Sequence, residues 1–254
     1  MKYILSLFIA TACLLSASAQ KIMKLNDSLK ASSEAISIKT KGNAGMGAMF
    51  KYEFGSYKII SARAGMEKNK TYSKLFSAVE KSESKQKATL VFVSQEKDTM
   101  TIRISVNSKT TAVREFLLSF GHGTVTAGRE DEATVEQWSR NFVAIISQAE
   151  DTVSWKLVYL SSSATDTKKT PGILTDNNIN IEIRPVNIWD NGKSPTFYPT
   201  IGYEFFMNGV SIAAVQMSPD TFVKKLVWLK NGLDDKMKTV LAAAVAAMLN
   251  YNEI

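Results

Sequence analysis

The first place to look for chemistry is the single histidine, His122, which stands between Gly121 and Gly123. A Ser-His-Asp triad needs only one imidazole. It also needs a serine presented on a strained elbow, and the chain contains no Gly-x-Ser-x-Gly. Ser161-Ser162-Ser163, followed by Thr165-Asp166-Thr167, reads as a polar loop after a strand. The flanking glycines place His122 in a turn, with an exposed and structurally neutral imidazole. One histidine and one cysteine cannot furnish the nitrogen and sulfur ligands of a zinc site. Carboxylates could hold calcium at Glu130-Asp131-Glu132 or at Asp234-Asp235. Neither has the alternate spacing or central glycine of a calcium loop. They read as a solvated loop and a helix start.

Glycoside hydrolysis needs two carboxyl groups facing each other across a cleft. Glu53, Glu182 and Glu204 lie in strand-like segments. Alternation sets Glu53 and Glu204 opposite their aromatic neighbours, which predicts that they face solvent. Gly42, Gly45 and Gly47 are not followed by the Lys-Ser or Lys-Thr of a phosphate-cradling loop. No catalytic residue, metal or cofactor is therefore expected. Trp155, Trp189 and Trp228 read as core fillers. The segment holding Trp189, Phe197 and Tyr198, with Pro185, Pro195 and Pro199 close by, is the best candidate for an exposed apolar binding loop.

The elements that would position these residues begin with an export signal. Lys2 precedes an apolar run over residues 4–15, and Ala17-Ser18-Ala19 precedes Gln20. A basic start, about a dozen apolar residues and an Ala-x-Ala site predict a signal peptide over residues 1–19, cut before Gln20. The apolar run is too short for a membrane anchor, which needs about 20 residues. Ala10-Thr11-Ala12-Cys13 only loosely resembles a lipobox, because the apolar run continues past Cys13. Cleavage would remove Cys13, so the mature chain would have no disulfide and no thiol nucleophile. A secreted or periplasmic protein with no transmembrane span is expected.

The net charge of +7 becomes +6 once Lys2 is lost. The cations are dispersed, with isolated pairs at Lys168-Lys169 and Lys224-Lys225 and no run interleaved with aromatics. This lacks a nucleic-acid footprint and predicts a solvated surface with mild attraction to anionic surfaces.

Residues 20–48 are polar and rich in Gly, Ser and Lys, and read as a flexible arm with a helical patch over residues 22–29. From residue 49 to 254 a single domain follows, and its dominant period is two. Phe50, Tyr52 and Phe54 share a face, as do Ile102, Ile104 and Val106, and Ile179, Ile181 and Ile183. Gly55-Ser56, Asp190-Asn191-Gly192 and Asn208-Gly209 are turns, the last a type I′ hairpin signal. Residues 222–229 form another strand candidate. Residues 132–147 fit either a helix, with Val135, Trp138, Phe142 and Ile145 at helical spacing, or a strand.

Residues 233–249 read as a helix. Asp234 and Asp235 sit at its positive end. Leu233, Met237, Val240, Leu241, Ala244, Val245, Met248 and Leu249 are its buried positions. Over residues 240–249 it is apolar on every side, whereas a helix packed on one face would show a polar stripe. Ten residues span about 15 Å, half a bilayer. The arrangement that satisfies both the helix and the strands is an antiparallel β-barrel closed around the helix, a mainly β fold.

The hairpin over residues 203–216, the strand through Trp228 and the terminal apolar helix resemble the tubby C-terminal-like superfamily, which includes phospholipid scramblases and LURP-one-related proteins. The resemblance covers residues 200–250. It implies about twelve strands around the helix. It hands over no function: the phosphoinositide-binding basic residues of tubby proteins have no match here, nor do the calcium segment and palmitoylated cysteines of scramblases. The leading expectation is an exported bacterial envelope protein that acts as a non-catalytic binding or scaffold module, with an envelope protein, lipid or glycan as partner. The alternatives are an exported carboxylate-dependent hydrolase and a carrier of a lipid or other apolar ligand. A barrel filled by its helix would leave the carrier no lumen.

Overall fold

The computed structural model describes residues 21–41, 50–73, 79–94, 98–113, 116–121, 124–129, 134–148, 153–163, 172–195, 200–217 and 223–251. The cleavage-site residues Ala17, Ala19 and Gln20, the glycines 42, 45 and 47, His122, residues 130–132, and Phe197 and Tyr198 lie outside the described residues.

Along the chain come α1 (Asp27–Ser32), β1 (Ile36–Ser37), β2 (Lys39–Lys41), β3 (Lys51–Phe54), β4 (Tyr57–Ala64), β5 (Lys68–Ser73), β6 (Val79–Val93) and β7 (Thr99–Val113). There follow β8 (Phe116–Gly121), β9 (Thr124–Arg129), β10 (Thr134–Gln148), β11 (Trp155–Ser162), β12 (Gly172–Thr175) and β13 (Asn180–Val186). The chain ends with β14 (Gly202–Met207), β15 (Val210–Gln216), β16 (Leu226–Leu229) and α2 (Asp235–Tyr251).

One antiparallel sheet runs β1-β16-β15-β14-β13-β12-β11-β10-β7-β6-β4-β3-β2, with β5 attached to β6. β8 and β9 form a separate hairpin. The two ends of the order, β1 and β2, are consecutive in the chain and separated only by Ile38, whose N–H donates to the Lys225 carbonyl at 3.1 Å. β1 pairs with β16 and β2 with β3. Counting β1 and β2 as halves of one stave turns the thirteen strands of this order into a nearly closed ring of twelve.

Alternation sets the inner wall. Tyr52, Phe54, Leu90, Phe92, Ile102 and Ile104 are buried, while Glu53, Val91 and Arg103 between them are not. Asn208 and Gly209 have φ of 52° and 78°, the left-handed pair of a type I′ turn. Residues 134–148, equally readable as a helix, form a strand. Phe142, Ala144 and Ile146 alternate inward, and β10 pairs with β7 along its length.

The C-terminal helix is enclosed. Every residue from Thr239 to Tyr251 is buried, and Ala242, Ala243, Ala244, Ala246 and Ala247 have no exposed surface. The helix meets β4, β7, β10, β15 and β16, staves from different sides of the ring. Alanines all round let the wall come close on every azimuth. The helix starts at Asp235, two residues later than the spacing predicts. Gly232 turns the chain at φ 80°, and Asp234 Oδ1 accepts the Met237 N–H at 2.8 Å as the N-cap. Leu233 is half-buried just before it. At the far end Arg140 Nη2, from the wall, donates to the Tyr251 carbonyl at 2.9 Å. A cation there suits the negative end of the helix dipole.

The polar segment read as a flexible arm over residues 20–48 is structural where it is described. Ile36–Lys41 closes the ring. Residues 21–32 form a strap over the outer face of β14–β16, with Met23, Leu25 and Leu29 packed on Trp189, Ile201, Ala214 and Trp228. Met23 bridges to Trp189, and its N–H donates to Gln216 Oε1 at 2.7 Å. The physical reason is that β14 and β15 are apolar on both faces, so their outer face needs a cover. Two sequence expectations change with it. Trp189 is buried at 7% exposure and does not belong to an exposed loop. Glu204, expected to face solvent, is 6% exposed beneath the strap and accepts from the Asn26 N–H and the Ser211 hydroxyl.

Candidate functional site

Among the described residues, three places bring chemistry-bearing side chains together. The first is a cleft of about 260 Å³ at the start of α2, walled by Val153, Trp155, Ile179, Met237 and Val240, with Asp176, Asp234 and Lys236. Its volume falls below the roughly 300 Å³ at which ligand pockets begin. Both carboxylates are engaged by the backbone. Asp234 caps the helix. Asp176 Oδ1 accepts the N–H groups of Ile179 at 2.7 Å and Asn178 at 2.9 Å. These bonds, Ile179 first, hold the Asp176 carboxyl below its ordinary value, with a smaller pull from Lys236. A glycosidase acid needs the opposite, a carboxyl whose pKa is raised.

The second place is the wall around the end of α2. The Ser161 hydroxyl and the Tyr251 hydroxyl are 2.9 Å apart. The Tyr159 and Tyr203 rings meet edge-on at 5.1 Å, and Arg140 lies over the Tyr251 ring at 4.5 Å. Burial pushes the Tyr159 phenol up to about 12, and Tyr203 is raised by the same cause. Phenols held neutral in this way do not serve as bases at neutral pH. Ser161, read as part of a loop, is the buried end of β11 and ties the wall to the helix.

The third place is the outer surface of the ring from β4 to β11. β6, β7 and β10 are each fifteen residues long, about 50 Å at the usual rise, and their distal halves run beyond the enclosed core. Directly paired residues in antiparallel strands project from the same side. On β6 the odd-numbered residues face out, so Lys81, Glu83, Lys85 and Lys87 share one surface while Ala88, Leu90 and Phe92 face in. On β5, Lys68 pairs with Lys85, Lys70 with Glu83, and Tyr72 with Lys81. β4 contributes Lys58 and Arg63, opposite Val93 and Thr89. β7 contributes Arg103 and Lys109, and β11 contributes Lys156 opposite Ile145.

Among the described residues, the outward positions of these strands carry ten exposed cations and one carboxylate, Glu83. Lys109 Nζ lies 3.1 Å from Glu83, and this hydrogen bond holds the carboxyl below its ordinary value. Of the described carboxylates beside this face, Glu53 of β3 also points outward, opposite Lys58 and ion-paired with Lys41, whereas Glu67 and Glu80 lie on the inner side. Glu80 belongs to the even set, and Glu67 accepts from the hydroxyl of Ser84 of the same set. So dense a single-sign field on one face attracts anions and speeds their encounter.

The dispersed lysines of the sequence are thus gathered by the sheet. Period two in Lys81-x-Glu83-x-Lys85-x-Lys87 and in Lys68-x-Lys70 carries the signal, and a search for contiguous basic runs passes over it. Among the described residues no three His, Cys, Asp or Glu side chains are grouped to hold a metal, and no helix is long and apolar enough to cross a membrane. Comparison with protein families, curated proteins and solved structures finds no match to this chain.

Proposed function

We propose that this chain is an exported envelope protein that works as a non-catalytic binding module, and that its partner is anionic. The observation that carries the proposal is the outward face of β4–β11, where the described residues present ten exposed cations and one carboxylate. The enclosed helix supports it, because a barrel packed with alanine offers an apolar ligand no lumen and leaves the exterior as the binding surface. The cleft carboxylates support it too, since both are engaged by backbone amides. A barrel of twelve staves around a terminal helix also supports kinship with the tubby-like superfamily, without lending that family's ligands.

The test is binding of polyphosphate, a polyanion with no apolar part, by the chain from Gln20 to Ile254 at rising salt. Affinity should fall steeply with salt, as counterions are released. The triple variant Lys68→Gln, Lys85→Gln, Lys87→Gln should bind at least tenfold more weakly (~1 kcal/mol per surface cation). Lys21→Gln with Lys24→Gln should match the parent, because the strap lies on β14–β16, half a turn round the ring from β7. Salt-independent binding, or equal losses in both variants, would remove the basic face from the proposal.

A further inference from the structure

We infer that the anionic partner of this face is a lipid bilayer surface, which the barrel wall touches side-on. The inference rests on the basic face being the binding surface, and a second feature of the same wall extends it. Val143 and Ile145 of β10, Val158 and Leu160 of β11 and Ile173 of β12 all project outward, because Phe142, Ala144, Ile146, Leu157, Tyr159 and Leu174 between them point into the core. They are contiguous: Val143 is opposite Val158, and Val158 is opposite Ile173. Ile145, Leu160 and Ile173 are 37%, 48% and 40% exposed. Ile145 stands directly between Arg103 and Lys156 across the two pairings. The aliphatic patch is therefore continuous with the basic field.

The barrel treats its two apolar outer sectors differently. Over β14–β16 the chain lays its own strap, burying Ile201, Ala214 and Trp228. Over β10–β12 none of the strap residues is spent. An uncovered aliphatic patch beside a one-sign field is what an anionic membrane interface takes up: acyl chains and glycerol receive the aliphatic groups while headgroup phosphates meet the lysines. A protein partner is less well suited, since interface cores favour Tyr, Trp, Met and Arg, and the central patch residues are Val, Ile and Leu.

The experiment is flotation of the chain from Gln20 to Ile254 with vesicles of phosphatidylcholine alone and of phosphatidylcholine mixed with phosphatidylglycerol, beside the polyphosphate titration. The expected result is flotation with the anionic vesicles only. Lys85→Gln with Lys87→Gln should weaken it about thirtyfold. Leu160→Ser with Ile173→Ser should also weaken it, by about tenfold or more, while leaving polyphosphate binding unchanged. Both pairs are exposed, so urea melts of the variants should overlay the parent and keep the comparison clean. Polyphosphate binding without flotation on either vesicle would overturn the bilayer as partner and leave the anionic-partner reading standing. Binding to neither would overturn both. Flotation that ignores the Leu160/Ile173 pair would overturn the side-on contact and, with it, this inference.

Discussion

Replacing Met23 by alanine tests whether the amino-terminal segment is structure or tether. Met23 has no exposed surface and packs in the outer cluster with Leu29, Trp189 and Ile201. Its sulfur lies so close over the sheet that a Cβ built on Gly202 would come within 2.4 Å of it. Below it is sheet backbone, which cannot collapse into the space a truncated side chain leaves. Burying a methionine and then deleting it costs about 2–5 kcal/mol, the more so where the site cannot relax, so we expect about 3 kcal/mol. That is a large share of the roughly 5–15 kcal/mol that holds a domain together. The midpoint of thermal unfolding should fall by roughly 6–12 °C for a chain of this size. Urea unfolding should shift its midpoint with little change in slope. Met66→Ala is the control: Met66 is 90% exposed and should move stability by no more than about 0.5 kcal/mol. If Met23→Ala melted with the parent and with Met66→Ala, the strap would be a passenger.

Asp234→Ala should cost about 1 kcal/mol, the usual value of an N-cap, read from urea melts, because it frees the Met237 amide at the buried helix entrance. Alkaline unfolding should be governed by the tyrosines of the wall. In the unfolded chain a phenol ionises near pH 10, whereas in the fold burial holds Tyr159 at about 12. The unfolded state therefore loses its proton first, and stability is present below pH 10 and lost as pH rises from 10 towards 12. Tyr159→Phe should flatten that loss in melts taken across this window, and an unchanged slope would show that Tyr159 ionises freely in the fold.

The sequence carries the barrel and its helix because both depend on local periodicity. Tyr52 and Phe54, or Ile181 and Ile183, alternate with polar neighbours, and residues 240–249 have no polar azimuth at all. The strap is hidden for a reason of the same kind. Met23, Leu25 and Leu29 are three apolar residues in a polar stretch, and nothing local shows that β14 and β15 need a second cover. That need is visible only in the adjacent apolar pair Phe205-Phe206 and the run Ile212–Val215, whose lack of alternation marks strands buried on both faces. Alternation alone gives the side of the sheet on which Glu204 lies and misses what covers it. The basic face was legible only in part. Period two shows that Lys81, Lys85 and Lys87 share a side, but joining them to Lys68, Arg63, Arg103 and Lys109 takes pairing register between strands distant in sequence.

Everything assigned to the exterior follows from the helix filling the interior on every azimuth, and a leucine scan tests that most directly. Ala242, Ala243, Ala244 and Ala246 point in different directions, about 100° apart for successive residues, and none has exposed surface. Leucine at each, one at a time, should overpack the wall and lower the unfolding free energy by about 1–3 kcal/mol in urea melts. A position that accepted leucine within about 0.5 kcal/mol of the parent would reveal an open side to the helix and contradict the account.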